Sequence, residues 1–536
     1  MPESGGEEEM CPTRSVLQSL GVPIVVLTAY LLFNEALRWS KRIKGLKGPK
    51  GLPVIGNLLN INKTFSAEQY RKWSLEYGPV YQVQLGNSPV VLVNAAEDAK
   101  TLLLNQSNAL ISRPLFHDFH KTVSKNVASI GTSPWNESCK SRRKVAGGAL
   151  NRPKVQSYEP IILRETSEFI QALTTESGSG TVDTNFNAAV HRLSLNMVMT
   201  LNYGMRIAKT TDLKEDAFYA EVVEVENQIS SLRSTSRNLA NYIPLLQFLE
   251  PIFWRKTAAR TADVGNRRIA YNNELLRRLQ DAVDRDEDVP CIQGNVLRDP
   301  EGVALSNNEL LSISLSMMAG ADSSQPTINW AFLLLAHHQD IQKKAYDELR
   351  RTTGTDYKLS ETKEVEYIYA LVKEVLRFYT PLPLSMPRET TAPVQYKGTT
   401  IPTGTMVFLN AYACNHALVN RLLKTYAPIR LRVRVRMCVA THLATRLVYT
   451  VLYHTLANFE IHPASDADSE EWDAVKGLKD PTALNASPRG NKARFVERRR
   501  EPWCGKPFSR GSDIFNPQSQ YIVALCFLVV LVGLFS

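Results

Sequence analysis

The sequence predicts a mainly α domain with small peripheral β-sheets, behind an amino-terminal membrane segment. Three observations predict this class. Helical periodicity dominates from about residue 95 to residue 380. One more strong helix pattern, VATHLATRLVYTVLYHTLAN, occupies residues 439–458. Strand-like runs are confined to the margins, at residues 77–94 and 393–409.

The 536 residues are 44% hydrophobic and 22% charged, enough for one large core and against wholesale disorder. A net charge of +10 suits an acidic partner or an anionic membrane surface, and equally a plain solvated surface. The seven cysteines are widely spaced, with no CxxC pair and no zinc-type cluster. A disulfide framework is therefore not expected, which places the main domain in a reducing compartment.

Taken in order, residues 1–15 form an acidic flank and residues 16–37 a transmembrane anchor, its apolar stretch 16–33 being free of charge. Basic residues follow the anchor, so the bulk of the chain is expected to face the cytoplasm. Residues 38–58 read as a basic hinge rich in Pro and Gly. Residues 77–94 read as a two-stranded hairpin broken at Gly86 and Asn87–Pro89. The main domain runs over 59–500, with an irregular loop at 415–435. The tail, 501–536, ends in an apolar stretch, 521–536, which reads as a second membrane segment or a buried helix.

Four features carry chemistry. The first is SMMAGADSSQPTINWAFLLLAH, residues 316–337, an apolar helix pattern interrupted by Gly320, Asp322, Ser323, Ser324 and Pro326. Such an interruption marks either a functional distortion or a junction of two helices with Asp322 or Ser324 as cap. The second is Glu374 with Arg377, three apart and so on one helix face. The third is Arg388, which follows Pro387 on a rigid extended segment and suits a carboxylate. The fourth is Arg436-Met-Cys438 ahead of the last helix, where free N–H groups favour a thiolate, the metal-binding form of cysteine.

In this order the four resemble the cytochrome P-450 superfamily, from the anchor to about residue 498. GTSPWNESCKSRRKVAGGALNRPKVQSYEP (131–160) and AGADSSQPTINW (319–330) resemble its fungal phenylacetate 2-hydroxylase branch, and ALISRP agrees. The resemblance implies haem b as cofactor, with Cys438 as the axial iron ligand. It implies Asp322 and Ser323 as the proton-delivering acid–alcohol pair, and Glu374 and Arg377 as a structural pair. Trp135, Arg388 and Arg436 would meet the haem propionates, with Lys140, Arg142 or Arg143 as a basic partner. The implied activity is insertion of one oxygen atom from O2 into a small aromatic substrate. An NADPH-cytochrome reductase would supply electrons at the endoplasmic reticulum membrane, and no nucleic acid is expected. The alternatives are a tailoring oxidase of a secondary-metabolite pathway and a haem-deficient remnant.

The cysteine loop departs from the family pattern. Leu431 stands for its phenylalanine, Arg434 for its first glycine and Ala440 for its last. A side chain at position 434 strains a backbone shape suited to glycine. A deletion with a local frame change, the register resuming at Arg436, accounts for the pattern, and it predicts poor haem binding.

Overall fold

The computed structural model describes residues 12–125, 127–206, 217–354, 364–416 and 438–498, with side chains from Val25 onward except those of Tyr219 and Asp322. The tail 501–536, Arg436 and most of the irregular loop lie outside the described residues.

The chain opens with helix α1 (Pro12–Ser40) and helix α2 (Ser66–Tyr77). The predicted hairpin follows as β1 (Val80–Leu85) and β2 (Ser88–Val93), paired antiparallel around Gly86 (φ +52°) and Asn87. Alternation places their side chains in two cores: Val83, Leu85, Val90 and Leu92 pack on one face, Val80, Val91 and Val93 on the other. The middle of the chain is helical: α3 (Glu137–Ala149), α4 (Glu159–Ser177), the two-residue strand β3 (Asp183–Thr184), α5 (Phe186–Tyr203), α6 (Ala217–Leu232), α7 (Pro244–Phe253) and α8 (Arg255–Asp284). Next come α9 (Asn307–Met318), α10 (Ala321–His337), α11 (Gln339–Thr353) and α12 (Glu366–Phe378). Strands return as β4 (Arg388–Glu389), β5 (Val394–Tyr396), β6 (Thr399–Ile401) and β7 (Met406–Leu409). Helix α13 (Thr441–Asn458), β8 (Phe459–Pro463) and β9 (Ala493–Glu497) complete the described part.

The largest sheet has the order β1-β2-β7-β4, with β2 and β7 parallel. A second has the order β3-β9-β8, and β5–β6 is a hairpin turning through Lys397 and Gly398, both at positive φ. The sheets are small, as the sequence predicts, but β8 and β9 are not peripheral: they bury Phe459, Ile461 and Phe495 in the main core.

Helix α10 runs through the main core. Ile328, Trp330, Ala331, Phe332, Leu333 and Leu335 are all buried, so the helix is apolar nearly all round. Trp330 stacks on Tyr379 at 4.3 Å and donates its indole N–H to the Ala486 carbonyl at 2.7 Å. Helices α5, α12 and α13 and strand β8 pack against α10.

The segment expected to act as a hinge is docked instead. Gln82 bonds the backbone of Ile43, Leu46 and Lys47, and Asn57 bonds the backbone of Gln84. A Cβ at Gly48 would stand 1.8 Å from the Gln82 carbonyl oxygen, and one at Gly56 2.0 Å from that of Gln84. These glycines let two backbones touch; they do not loosen the chain.

Among the described residues, no helix is long and apolar enough to cross a membrane. The anchor predicted at 16–37 begins in residues whose side chains are outside the description. The carboxy-terminal half of α1 exposes Val26, Leu32, Phe33 and Trp39. Its end is held to the domain by Asn87 donating to Asn34 at 2.5 Å and by Arg38 donating to the Leu52 carbonyl at 3.1 Å.

Candidate active site

Four cysteines lie within the described side chains: Cys139, Cys291 and Cys414 are buried, and Cys438 is exposed. Burial pushes the Cys291 thiol up to about 11 and the Cys414 thiol up to about 12, away from the thiolate that binds metal. The Cys291 sulfur also accepts the Gly294 N–H at 3.3 Å, as a helix cap. Cys438 therefore offers the reachable sulfur among the described cysteines. It lies ahead of the α13 cap, Ala440, and not on it, and its carbonyl accepts the Thr441 N–H at 3.3 Å and hydroxyl at 2.8 Å.

Helix α3 carries the three basic candidates, and the structure places them differently. Lys140 is exposed beside Glu137. Arg142 is buried and spent inside, donating to the Ser138 and Ala128 carbonyls at 3.0 and 3.1 Å and to the Ser312 hydroxyl. Arg143 is half-buried; desolvation lowers its pKa, against the attraction of Cys139 and Cys438.

Trp135 and Arg388, 253 positions apart, meet through Ser112. The Trp135 backbone N–H donates to the Ser112 hydroxyl at 3.2 Å, and the Glu389 backbone N–H donates to the Ser112 carbonyl at 3.1 Å. Arg388 Nη1 donates to the Leu110 carbonyl at 3.1 Å. Arg113, to which the sequence reading assigned no role, holds the same edge: its Nη1 donates to the Met386 and Pro387 carbonyls at 2.5 and 2.8 Å. The only signal for it was its place before Pro114 in ALISRP.

On α12, Glu374 and Arg377 form the expected pair, at 2.5 and 2.8 Å, and Arg377 also donates to the Asn415 carbonyl at 2.7 Å. The pair is not enclosed, for the Glu374 side chain is 49% exposed.

The interruption at residues 316–337 is a junction of two helices that is also distorted. Gly320 N–H reaches back only three residues, to Met317, at 2.8 Å. The Gly320 carbonyl collects the N–H groups of Ser323 and Ser324 at 3.3 Å and their hydroxyls at 3.2 and 2.7 Å. Neither serine is an N-cap; both bond back into the helix. Asp322 is the second residue of α10, and its side chain is outside the description.

A cavity of about 30 Å³ adjoins these parts, between Arg113, Phe119, His120, Thr132, Arg233 and Met386. His120 closes one wall. Its Nδ1 accepts the Phe116 N–H at 2.9 Å, so Nε2 carries the proton toward the Thr132 carbonyl at 3.2 Å. Burial, with Arg233 nearby, lowers its pKa to about 4, and the ring is neutral.

A family model described as cytochrome P-450 matches residues 46–418. The chain belongs to the cytochrome P-450 family. It is 41% identical over 497 residues to 3-hydroxyphenylacetate 6-hydroxylase of Emericella nidulans, covering 89% of this chain and 93% of that one. It is 37% identical over 506 residues to phenylacetate 2-hydroxylase of the same organism, covering 90% and 96%. It is 26% identical over 407 residues to isoflavone 2'-hydroxylase of Glycyrrhiza echinata, covering 74% and 79%. This P-450 is thus a monooxygenase whose cofactor is a haem iron. The donor chemistry fits that group: an exposed thiol at Cys438, and the Arg388 guanidinium on the strand edge to which Ser112 also ties Trp135.

Proposed function

We propose that this P-450 hydroxylates the ring of a phenylacetate-type acid with one oxygen atom from O2. The observation that carries the reading is the 41% and 37% identity, over nearly whole chains, to two enzymes named for hydroxylating phenylacetates. Cys438 binds the iron. Trp135, Arg388 and Arg436 hold the propionates, with Arg143 as basic partner. Bound haem supplies the activation of dioxygen. Asp322 brings protons to the break between α9 and α10, and the Ser323 Oγ, now donating to the Gly320 carbonyl, passes them on. Glu374 and Arg377 brace the Cys438 side.

Electrons come from NADPH through a cytochrome reductase, whose acidic surface suits a basic chain. Residues 16–37 anchor the protein in the endoplasmic reticulum membrane, with the domain on the cytoplasmic side. The apolar side chains exposed along α1 support that placement, as does the basic segment after it.

The test is expression in microsomes with a reductase, followed by incubation with phenylacetate or 3-hydroxyphenylacetate under 18O2. The expected product is a ring-hydroxylated acid carrying one heavy oxygen. A thiolate-haem carbon monoxide band without such a product would rule out the substrate class. Absence of the band would favour the haem-deficient alternative.

A further inference from the structure

Away from the proposed haem-holding residues, one cluster of metal-ligating side chains joins two separate elements. His117 opens the π-helical segment His117–Ser124, and Glu250 lies on α7. The His117 ring stands between two carboxylates, with Nδ1 3.1 Å from an Asp118 oxygen and Nε2 3.7 Å from a Glu250 oxygen. One donor atom from each of the three residues lies within 4.8 Å of the other two. The three side chains are 16%, 17% and 23% exposed, so bulk water only partly screens them.

The charges in this cluster do not balance. Among the described residues no lysine or arginine pairs with Asp118 or Glu250, so two half-buried carboxylates share one imidazole. Like charges away from bulk water repel more strongly than in it, and a cation between them removes that repulsion. One imidazole nitrogen with two carboxylate oxygens suits zinc and its first-row neighbours. It does not suit magnesium or calcium, which take oxygen ligands. Zinc bonds of about 2.0–2.2 Å set the donors closer together than they now stand, and the flexible Glu250 arm covers the difference.

The place of the cluster gives a bound ion a consequence. The Asp118 backbone N–H donates to the Asn241 side-chain oxygen at 3.2 Å, and Asn241 lines the cavity. Phe116 and Phe119, the residues on either side of His117 and Asp118, line it too. We propose that His117, Asp118 and Glu250 form a binding site for one divalent transition-metal cation of the zinc type, with water completing the shell. The ion ties the cavity wall to α7. It is separate from the haem, and the phenylacetate-type reading stands whether or not the site does.

The test is equilibrium dialysis of the membrane-bound holoenzyme against radioactive Zn2+, with haem bound so that the proposed iron ligand is not free to take zinc. Wild type should bind one zinc ion that Glu250→Gln and Asp118→Asn do not. Losing a ligand should weaken binding by more than the about 10- to 100-fold that follows loss of a supporting group. Excess Mg2+ or Ca2+ should leave the zinc in place. Zinc should also raise the unfolding temperature of wild type and not of Glu250→Gln, because ligands from two elements meet only in the folded chain. Equal carbon monoxide bands establish that the variants are folded, and Glu250→Gln carries the test where Asp118→Asn does not accumulate. Wild type binding no zinc would overturn the proposal. Equal binding by wild type and Glu250→Gln would also overturn it, by placing the ion elsewhere. Displacement of the zinc by Ca2+ would overturn the imidazole's part in the site.

Discussion

Two regions of the molecule are built differently. On the side of α6 and α8, Arg268 and Glu226 close on one another with side chains 3% and 15% exposed, and Tyr271 adds its hydroxyl. On the side of α12 and α13, Cys438 is exposed and Glu374 is half-open. The enclosed network joins groups 42 and 45 positions apart. The open pair joins neighbours on one helical turn, a contact available on any helix face. Burial would raise the Glu226 pKa, but Arg268 and Arg233 hold it below the usual carboxylate range. The enclosed charges must stay matched or the fold suffers. On the open side, the proposed function rests on one exposed thiol.

The sharpest way to break this comparison is at Cys438. Cys438→Ala should abolish the thiolate-haem carbon monoxide band completely, while Cys414→Ala keeps it. A band surviving in Cys438→Ala would put the ligand on another cysteine and remove the open side from the site.

Next in size is the enclosed network. Arg268→Met strands the Glu226 carboxylate, and losing one partner of a buried pair costs about 3–5 kcal/mol. Denaturant unfolding followed by circular dichroism should show a drop of that order. A drop under about 1 kcal/mol, as for surface pairs, would mean that the network is wetter than its burial indicates.

His120 tests the same side through pH. Its pKa falls from 6.5 to about 4 on folding, so the folded ring stays neutral where the unfolded one takes a proton. The stabilising contribution is whole above about 6.5 and is lost as pH falls toward 4. The loss amounts to roughly 3 kcal/mol at 1.36 kcal/mol per pH unit. Stability measured across that window should be flatter in His120→Gln than in wild type; parallel curves would show that His120 does not set the acid limb.

The smallest effect lies on the outer face of α8, where Arg277 pairs with Glu274 and Asp281 but is 59% exposed. Arg277→Ala should leave the unfolding midpoint unchanged within the error of the same assay. A loss near that of Arg268→Met would erase the distinction between enclosed and open charge on one helix.

Much of the architecture was legible. The hairpin at 77–94 and the helix at 439–458 are written in local chemistry, and they appear as β1–β2 and as α13. The segment at 44–58 was misread as a hinge, because its glycines serve a contact with Gln82 and Gln84 that no local pattern announces. Arg113, His120 and Arg233 gave almost no signal. Each is one polar residue in a polar stretch, and its meaning comes from segments more than 100 positions apart meeting at one cavity. The interruption at residues 316–337 left two readings open; a helix junction and a local distortion coincide at Gly320, and the cap is Gly320 in place of Asp322 or Ser324.

By itself, the sequence determined the mainly helical class, the hairpin and Cys438 as the candidate ligand. Periodicity, turn residues and the order of motifs act over a few neighbouring positions and survive in one dimension. Only the tertiary structure decided that Arg142, among three basic neighbours, is spent in the interior, and that Cys291 and Cys414 are buried while Cys438 is exposed. It alone brought Arg233 to the wall of an apolar cavity. Burial and charge balance are properties of what packs around a group, and those neighbours come from distant parts of the chain.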